Sequence, residues 1–140
     1  MTFSYDYTIQ FRDTDAAGVG YFASIVSICH VAYEASLIET GIDLKLFVNN
    51  SEFAVPITQV AADFLRPLYC GDRVTILLTP QEIDRGKFEI NYQILSIDPQ
   101  STDLQILAAT VATKHVVIDP QTRKRQDLPG SIAQWLLRWR

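Results

Sequence analysis

The sequence predicts an α+β domain in which an antiparallel sheet wraps one long central helix. Three observations predict it: a period-two segment at the start, one long apolar segment with helical spacing, and then a run of four strand-like segments punctuated by turn residues. At 140 residues the chain is long enough to bury a core without staples, and no linker, repeat or low-complexity stretch divides it. A single domain over residues 1–140 is expected.

Phe3, Tyr5, Tyr7, Ile9 and Phe11 alternate with Ser4, Asp6, Thr8, Gln10 and Arg12, the pattern of a half-buried strand. From about Ala23 the period changes, and Ile25, Val26, Cys29, Ala32, Tyr33 and Leu37 form a helical stripe. Ile28, Val31 and Ile38 widen that stripe around much of the cylinder, which predicts a helix buried on most sides. Ser24 is placed to cap its start and Gly41 to stop it as the C′ residue. The first turn carries no Asp or Glu, so no local carboxylate claims the helix N–H groups. Leu44 to Val48 reads as a short helical turn. Strands are expected at Ile57–Arg66, Arg73–Asp84, Lys87–Ile97 and Leu104–Ile118, with turns at Asp84-Arg85-Gly86, at 98–103 and at Asp119–Thr122. A last helix is expected from Ser131 to Trp139.

An apolar fraction of 48% and a charged fraction of 20% exclude wholesale disorder. The net charge of −4 argues against a nucleic-acid surface, which needs a surplus of Lys and Arg. The start, Met-Thr-Phe-Ser-Tyr-Asp, has no basic region or apolar signal core. The apolar stretch Val19–Tyr33 is interrupted by Ser24, Ser27 and His30 and falls short of the ~20 residues of a bilayer span. Membrane insertion is therefore not expected. Cys29 and Cys70 are far apart and form no CxxC, which fits reduced thiols and a cytoplasmic location.

The segment joining the first strand to the long helix, Phe11-Arg-Asp-Thr-Asp-Ala-Ala-Gly-Val-Gly-Tyr-Phe22, is the candidate site. A carboxylate beside a helix N-terminus can attack a carbonyl, or direct water at it, while free N–H groups polarise the carbonyl oxygen. On residue type alone, Asp13 and Asp15 serve equally as turn-forming, helix-proximal carboxylates. Asp13-x-Asp15 is not a calcium loop, because the ligand positions at Ala17 and Ser24 hold no carboxylate. No metal site is expected: His30 and His115 sit on different elements without a Cys or carboxylate cluster, and each reads as a satisfied structural histidine. Gly18-x-Gly20 is too short for a dinucleotide fingerprint and serves close backbone approach or a tight turn.

Phe11-x-Asp-Thr-Asp-Ala-Ala-Gly-Val-x-Tyr-Phe22 resembles the signature of the hot-dog-fold acyl-CoA thioesterases of the 4-hydroxybenzoyl-CoA thioesterase type. Phe64-Leu-Arg-Pro-Leu-Tyr-Cys-Gly-Asp72 resembles the strand–Pro–Gly-Asp element of that family, and Lys114-His-Val-Val-Ile-Asp119 with Leu128-Pro129 its closing strand. The resemblance covers essentially the whole chain. It implies a hot-dog fold, Asp15 as the catalytic carboxylate and the backbone N–H of Phe22 as the oxyanion donor. Phe22 departs from the His or Tyr that other subfamilies carry there. The whole sequence is most similar to the subfamily acting on 1,4-dihydroxy-2-naphthoyl-CoA in phylloquinone biosynthesis. An aromatic acyl pocket near Tyr21, Phe22, Phe53 and Phe64 is then expected, with Gly18 also among the substrate-binding residues. Arg85 and Lys87 resemble basic positions used near the CoA nucleotide, with Arg123, Lys124 and Arg125 as a second cluster.

The resemblance implies no metal or redox cofactor, CoA being part of the substrate. It also implies a homotetramer, two edge-to-edge dimers with shared active sites. Three other readings stand beside it: a short- or medium-chain acyl-CoA thioesterase, a non-catalytic acyl-CoA-binding domain on the same fold, and a hydratase. The last requires an Asp/His pair in a hydratase motif that the sequence lacks.

Overall fold

The computed structural model describes residues 1–98 and 100–140, with backbone alone at 101–103. The elements follow in the order β1 (Phe3–Thr8), a 3-10 turn (Phe11–Asp13), α1 (Phe22–Glu39), α2 (Leu44–Val48), β2 (Ile57–Phe64), β3 (Arg73–Asp84), β4 (Lys87–Asp98), β5 (Ser101–Val116) and α3 (Gly130–Trp139). The five strands form one antiparallel sheet in the order β1-β3-β4-β5-β2. The turn expected at 98–103 falls partly outside the described residues.

Alternation on the central strands builds the core. Val74, Ile76 and Leu78 of β3, Phe88, Ile90, Tyr92 and Ile94 of β4, and Ala109 and Val111 of β5 all face inward. The register aligns them in rows across the sheet, Leu78 opposite Tyr92 and Tyr92 opposite Val111, so each row is a ladder of packed side chains. Against this face lie Ile25, Ile28, Cys29, Ala32, Tyr33, Ser36 and Leu37 of α1. By length and apolarity α1 would suffice to cross a membrane, but here its apolar stripe covers the sheet. α3 closes the core with Ile132, Trp135, Leu136 and Trp139.

Local chemistry explains the differences from the sequence reading. β1 ends at Thr8, not Phe11, because Ile9 leaves the ladder to exchange backbone hydrogen bonds with Asp72 and Gly71. Phe11 is consequently 87% exposed instead of inward-facing. β2 stops at Phe64, since the N–H groups of Leu65 and Arg66 both donate to the Ala108 carbonyl in a local bulge. α1 begins at Phe22, its N-cap is Tyr21, and Ser24 lies inside the helix and caps nothing. Gly41 does stop α1: at φ +92° its N–H donates to the Ile38 carbonyl while that of Ile42 donates to Leu37, the paired bonds of a Schellman motif.

Candidate active site

The β1–α1 connection is a closed loop with its two carboxylates on opposite duties. Asp13 is buried; its Oδ2 accepts from the Tyr7 hydroxyl (2.7 Å) and the Gln10 N–H (2.8 Å), and its carbonyl accepts from the Tyr21 N–H (2.8 Å). Burial, then the nearby Asp13 carboxylate, pushes the Tyr7 hydroxyl above its usual pKa, so it stays a donor. Asp13 therefore builds the loop. Asp15 is exposed, its Oδ1 accepting only the Ala17 N–H (2.8 Å) among the described residues. Its backbone N–H donates to the Val19 carbonyl (2.9 Å) and its carbonyl accepts from the Gly18 N–H (3.0 Å). Gly18 stands at φ +81°, which a residue with a Cβ resists, and that turn brings Gly20 back opposite Thr14. Gly20 is tight for another reason, since a Cβ there would come within 3.0 Å of Ile25.

The loop delivers the chain to the start of α1 with its donors open. Among the described residues no acceptor is bound to the N–H groups of Phe22, Ala23 or Ser24, and the Tyr21 cap supplies no side-chain bond. These three groups carry the positive end of an 18-residue helix. Beside them lies a groove of about 230 Å³ lined by Val19, Gly20, Phe22, Ile25, Phe64, Leu65, Arg66, Pro67, Leu68 and Ala109. Asp15 does not line the groove, but its backbone N–H bonds the carbonyl of groove-lining Val19. The site can hold an apolar acyl group with its carbonyl toward the helix N-terminus and a carboxylate alongside.

The sequence-selected residues divide into two groups. Phe22 and Phe64 line the groove at the α1 N-terminus, Tyr21 stands half-exposed against Phe22 at a ring separation of 4.8 Å, and Asp15 and Gly18 lie in the loop leading to them. Phe53, Arg85 and Lys87 do not reach that groove within one chain. Phe53 is buried edge-on against Phe47 (5.8 Å), on the α2 side. Arg85 sits in the β3–β4 turn, ion-paired to Asp127 at 2.9 Å, and Lys87 pairs across from Val116. Val116 is seven residues along β5 from groove-lining Ala109, roughly 23 Å of strand. Of the second cluster, Arg125 contacts Asp84 at 3.2 Å.

Two features were not visible in the sequence. His115 is fully buried, stacked on Phe88 at 4.7 Å, with Nε2 bonded to Thr113 Oγ1 (2.8 Å) but Nδ1 without a partner among the described residues. It is thus only half satisfied, contrary to expectation; burial, and secondarily His30, pushes its pKa down to about 4. His30, also expected to be a satisfied structural histidine, lies 3.3 Å from Glu34 and is half-exposed on a second cavity of about 420 Å³. Cys29 behaves as a core residue: burial pushes its thiol up to about 12, so it is no nucleophile near neutral pH. Among the described residues no three His, Cys, Asp or Glu side chains converge.

An antiparallel sheet wrapped on a helix, with an open helix N-terminus and a loop carboxylate, defines a hot-dog thioesterase architecture. The chain belongs to the thioesterase-like superfamily, whose pattern matches residues 9–136. It is 53% identical over 132 residues to the 1,4-dihydroxy-2-naphthoyl-CoA hydrolase of Rippkaea orientalis, covering 94% of this chain and 93% of that one. The enzyme of the same name from Nostoc punctiforme is 46% identical over 136 residues, with 97% and 87% covered. The crystal structure of a 1,4-dihydroxy-2-naphthoyl-CoA thioesterase from Synechocystis superposes with a TM-score of 0.88 at 31% identity, over 98% of this chain and 96% of that one.

Proposed function

We propose that this chain hydrolyses an aromatic acyl-CoA, namely 1,4-dihydroxy-2-naphthoyl-CoA, to 1,4-dihydroxy-2-naphthoate and CoA in phylloquinone biosynthesis. The observation that carries the chemistry is the set of unclaimed N–H groups at Phe22–Ser24 beside the exposed Asp15 and an apolar groove. The naphthoyl assignment is supported by the relatives named above.

The thioester carbonyl enters toward the N-terminus of α1, with the Phe22 N–H as the oxyanion donor. Asp15 attacks the carbonyl carbon or takes a proton from the water that does; either route passes through a tetrahedral oxyanion and expels CoA as the thiolate. Preorganised N–H dipoles favour that oxyanion over the ground-state carbonyl, which is the source of rate. This division of labour requires no metal or redox cofactor. Free Cys29 and Cys70 suit a reducing cytoplasm.

The assembly we propose is a homotetramer built from edge-to-edge dimers. β2 is an open edge of the sheet, and Ile57, Val60, Phe64 and Leu65 are 39–56% exposed along it. An exposed apolar edge strand is a template for a second copy. A second chain then brings to the groove residues that lie far from it in the first, which accounts for the remoteness of Phe53, Arg85 and Lys87 within one chain.

The test is a thiol-release assay over aryl, short-chain and medium-chain acyl-CoAs. The reading requires the highest kcat/KM for 1,4-dihydroxy-2-naphthoyl-CoA. Preference for a short aliphatic chain overturns the aryl assignment, and binding without turnover of any member overturns the enzyme. Sedimentation showing a fully active monomer at micromolar concentration removes the shared site.

A further inference from the structure

The cavity of about 420 Å³ between α1, α2 and the start of β2 is not used by the chemistry above. Its lining is mostly apolar, including Leu37, Phe47, Val55 and Ile57, with Lys45 at α2 and, on the α1 wall, Tyr33 and the polar pair His30 and Glu34. The pair meets Nδ1 to Oε1 at 3.3 Å, both side chains half-exposed. The imidazole also stands edge-on to Tyr33 at 5.5 Å and 83°. Beside Glu34 and on the cavity wall, the His30 imidazole offers a ring nitrogen available to accept a hydrogen bond. A largely apolar chamber with an imidazole on its wall suits a flat ring bearing a hydroxyl.

Within one chain this chamber and the groove at Phe22 are separate. His30 follows Phe22 by eight residues of helix, roughly 12 Å. Their positions on β2 are complementary, however: the groove is lined by Phe64 at one end of the strand, the chamber by Ile57 at the other. Antiparallel pairing of β2 with its own copy lays the Phe64 end of one protomer against the Ile57 end of the next. The groove of one chain then opens onto the chamber of its neighbour. At about 230 Å³ the groove alone is below the ~300–1,000 Å³ of ordinary ligand pockets, and joined to the chamber it falls within that range.

We propose that His30, positioned by Glu34, determines acyl specificity by accepting a hydrogen bond from a ring hydroxyl of the acyl group held by the opposite protomer. The assignment rests on the aryl-thioesterase reading and adds to it the group that distinguishes a hydroxylated ring from a bare one. The measurement is the ratio of kcat/KM for 1,4-dihydroxy-2-naphthoyl-CoA to that for 2-naphthoyl-CoA. His30→Ala, and His30→Phe as a filled cavity control, should lower that ratio at least tenfold, because a site that hydrogen-bonds a substrate hydroxyl rejects the analogue that lacks it. Glu34→Gln should lower it less. If wild type turns over both substrates and the His30 variants leave the ratio unchanged, His30 is not the determinant although the thioesterase reading survives. If wild type turns over neither, the reading and this inference fall together.

The position across the interface has its own test. Coexpressed Asp15→Asn and His30→Ala chains place one intact site in every mixed dimer only if Asp15 and His30 act from different protomers. Random mixing should then restore about one quarter of the wild-type rate on the hydroxylated substrate, since half the dimers are mixed with one good site each. Recovery no greater than the sum of the two single variants overturns the cross-chain placement.

Discussion

The two ends of α1 are treated in opposite ways. At the C-terminal end the helix is sealed several times over: the Schellman bonds at Gly41 and Ile42, Trp139 Nε1 donating to Thr40 Oγ1 (3.0 Å) and Arg138 donating to the Glu39 carbonyl (2.7 Å). One turn earlier Trp135 Nε1 donates to the buried Ser36 hydroxyl (2.9 Å). The N-terminal end has no side-chain cap, no acidic residue in its first turn, and two exposed aromatics. A helix end without caps forgoes roughly 0.5–2 kcal/mol. Capping contacts are concentrated at the C-terminal end, and the N-terminal end keeps its N–H donors open, as the proposed oxyanion site requires.

Substitutions at the sealed end should cost stability and nothing specific in catalysis. Trp135 is fully buried and edge-packed on Tyr33 and Phe88, so Trp135→Ala should lose ~3–5 kcal/mol in urea unfolding, the range for deleting a core aromatic. A loss below ~1 kcal/mol would mean that α3 is not part of the cooperative core. His115, on the strand facing this half of α1, makes the same region pH-sensitive. Its pKa is 6.5 when unfolded and is depressed to about 4 in the fold. The native state resists protonation, so this contribution is complete above pH 6.5 and is lost as pH falls from 6.5 through about 4. Its size is about 3 kcal/mol. His115→Leu should flatten the plot of unfolding midpoint against pH in that window, and an unchanged slope would refute the assignment.

Substitutions at the open end should reverse the pattern. Asp15→Asn should lower turnover at least ~10²-fold, the loss of a positioned acid–base group. The unfolding midpoint should hold within ~1 kcal/mol, because the carboxylate is exposed and contributes only through the helix dipole. Asp13→Asn should behave as a sealed-end residue placed at the open end. It disturbs a buried acceptor of the Tyr7 and Gln10 donors, costing ~1–3 kcal/mol of stability, with a much smaller fall in turnover. Dead Asp13→Asn beside active Asp15→Asn would exchange their roles. The smallest effect is expected for Arg85→Ala with Lys87→Ala. Losing exposed charge contacts worth about 1 kcal/mol should raise KM roughly fivefold and leave kcat alone, since such contacts are equal in ground and transition states. A KM insensitive to both the substitution and salt would remove these residues from the nucleotide.

Much of this was legible in the residues. Strand-like segments bounded by turn residues placed β3 and β4 at Arg73–Asp84 and Lys87–Ile97, while the inward faces of Val74–Leu78 and Phe88–Ile94 came from the structure. Gly41 declared the end of α1 through its tolerance of positive φ. The motif from Phe11 to Phe22 marked the site because a turn, two carboxylates and a helix start are all local in sequence. Local pattern failed where a partner distant in sequence decided. Phe11 obeys the strand alternation yet stands in solvent, because Gly71 and Asp72 draw Ile9 out of the ladder. Ser24 looks like a cap, but the loop closed at Thr14 and Gly20 starts the helix two residues before it.

Residue type and spacing determined the fold class and pointed to the candidate site, since each depends on periodicity or on a few adjacent residues. Tertiary structure decided the division of labour. Asp13 and Asp15 are the same residue two positions apart, and only the packing of Tyr7 against the loop makes one a buried strut and leaves the other exposed. Likewise His30 and His115 were indistinguishable as letters. One is stacked against Phe88 inside the sheet and the other opens onto a cavity, because burial is set by what the rest of the chain brings to each side chain.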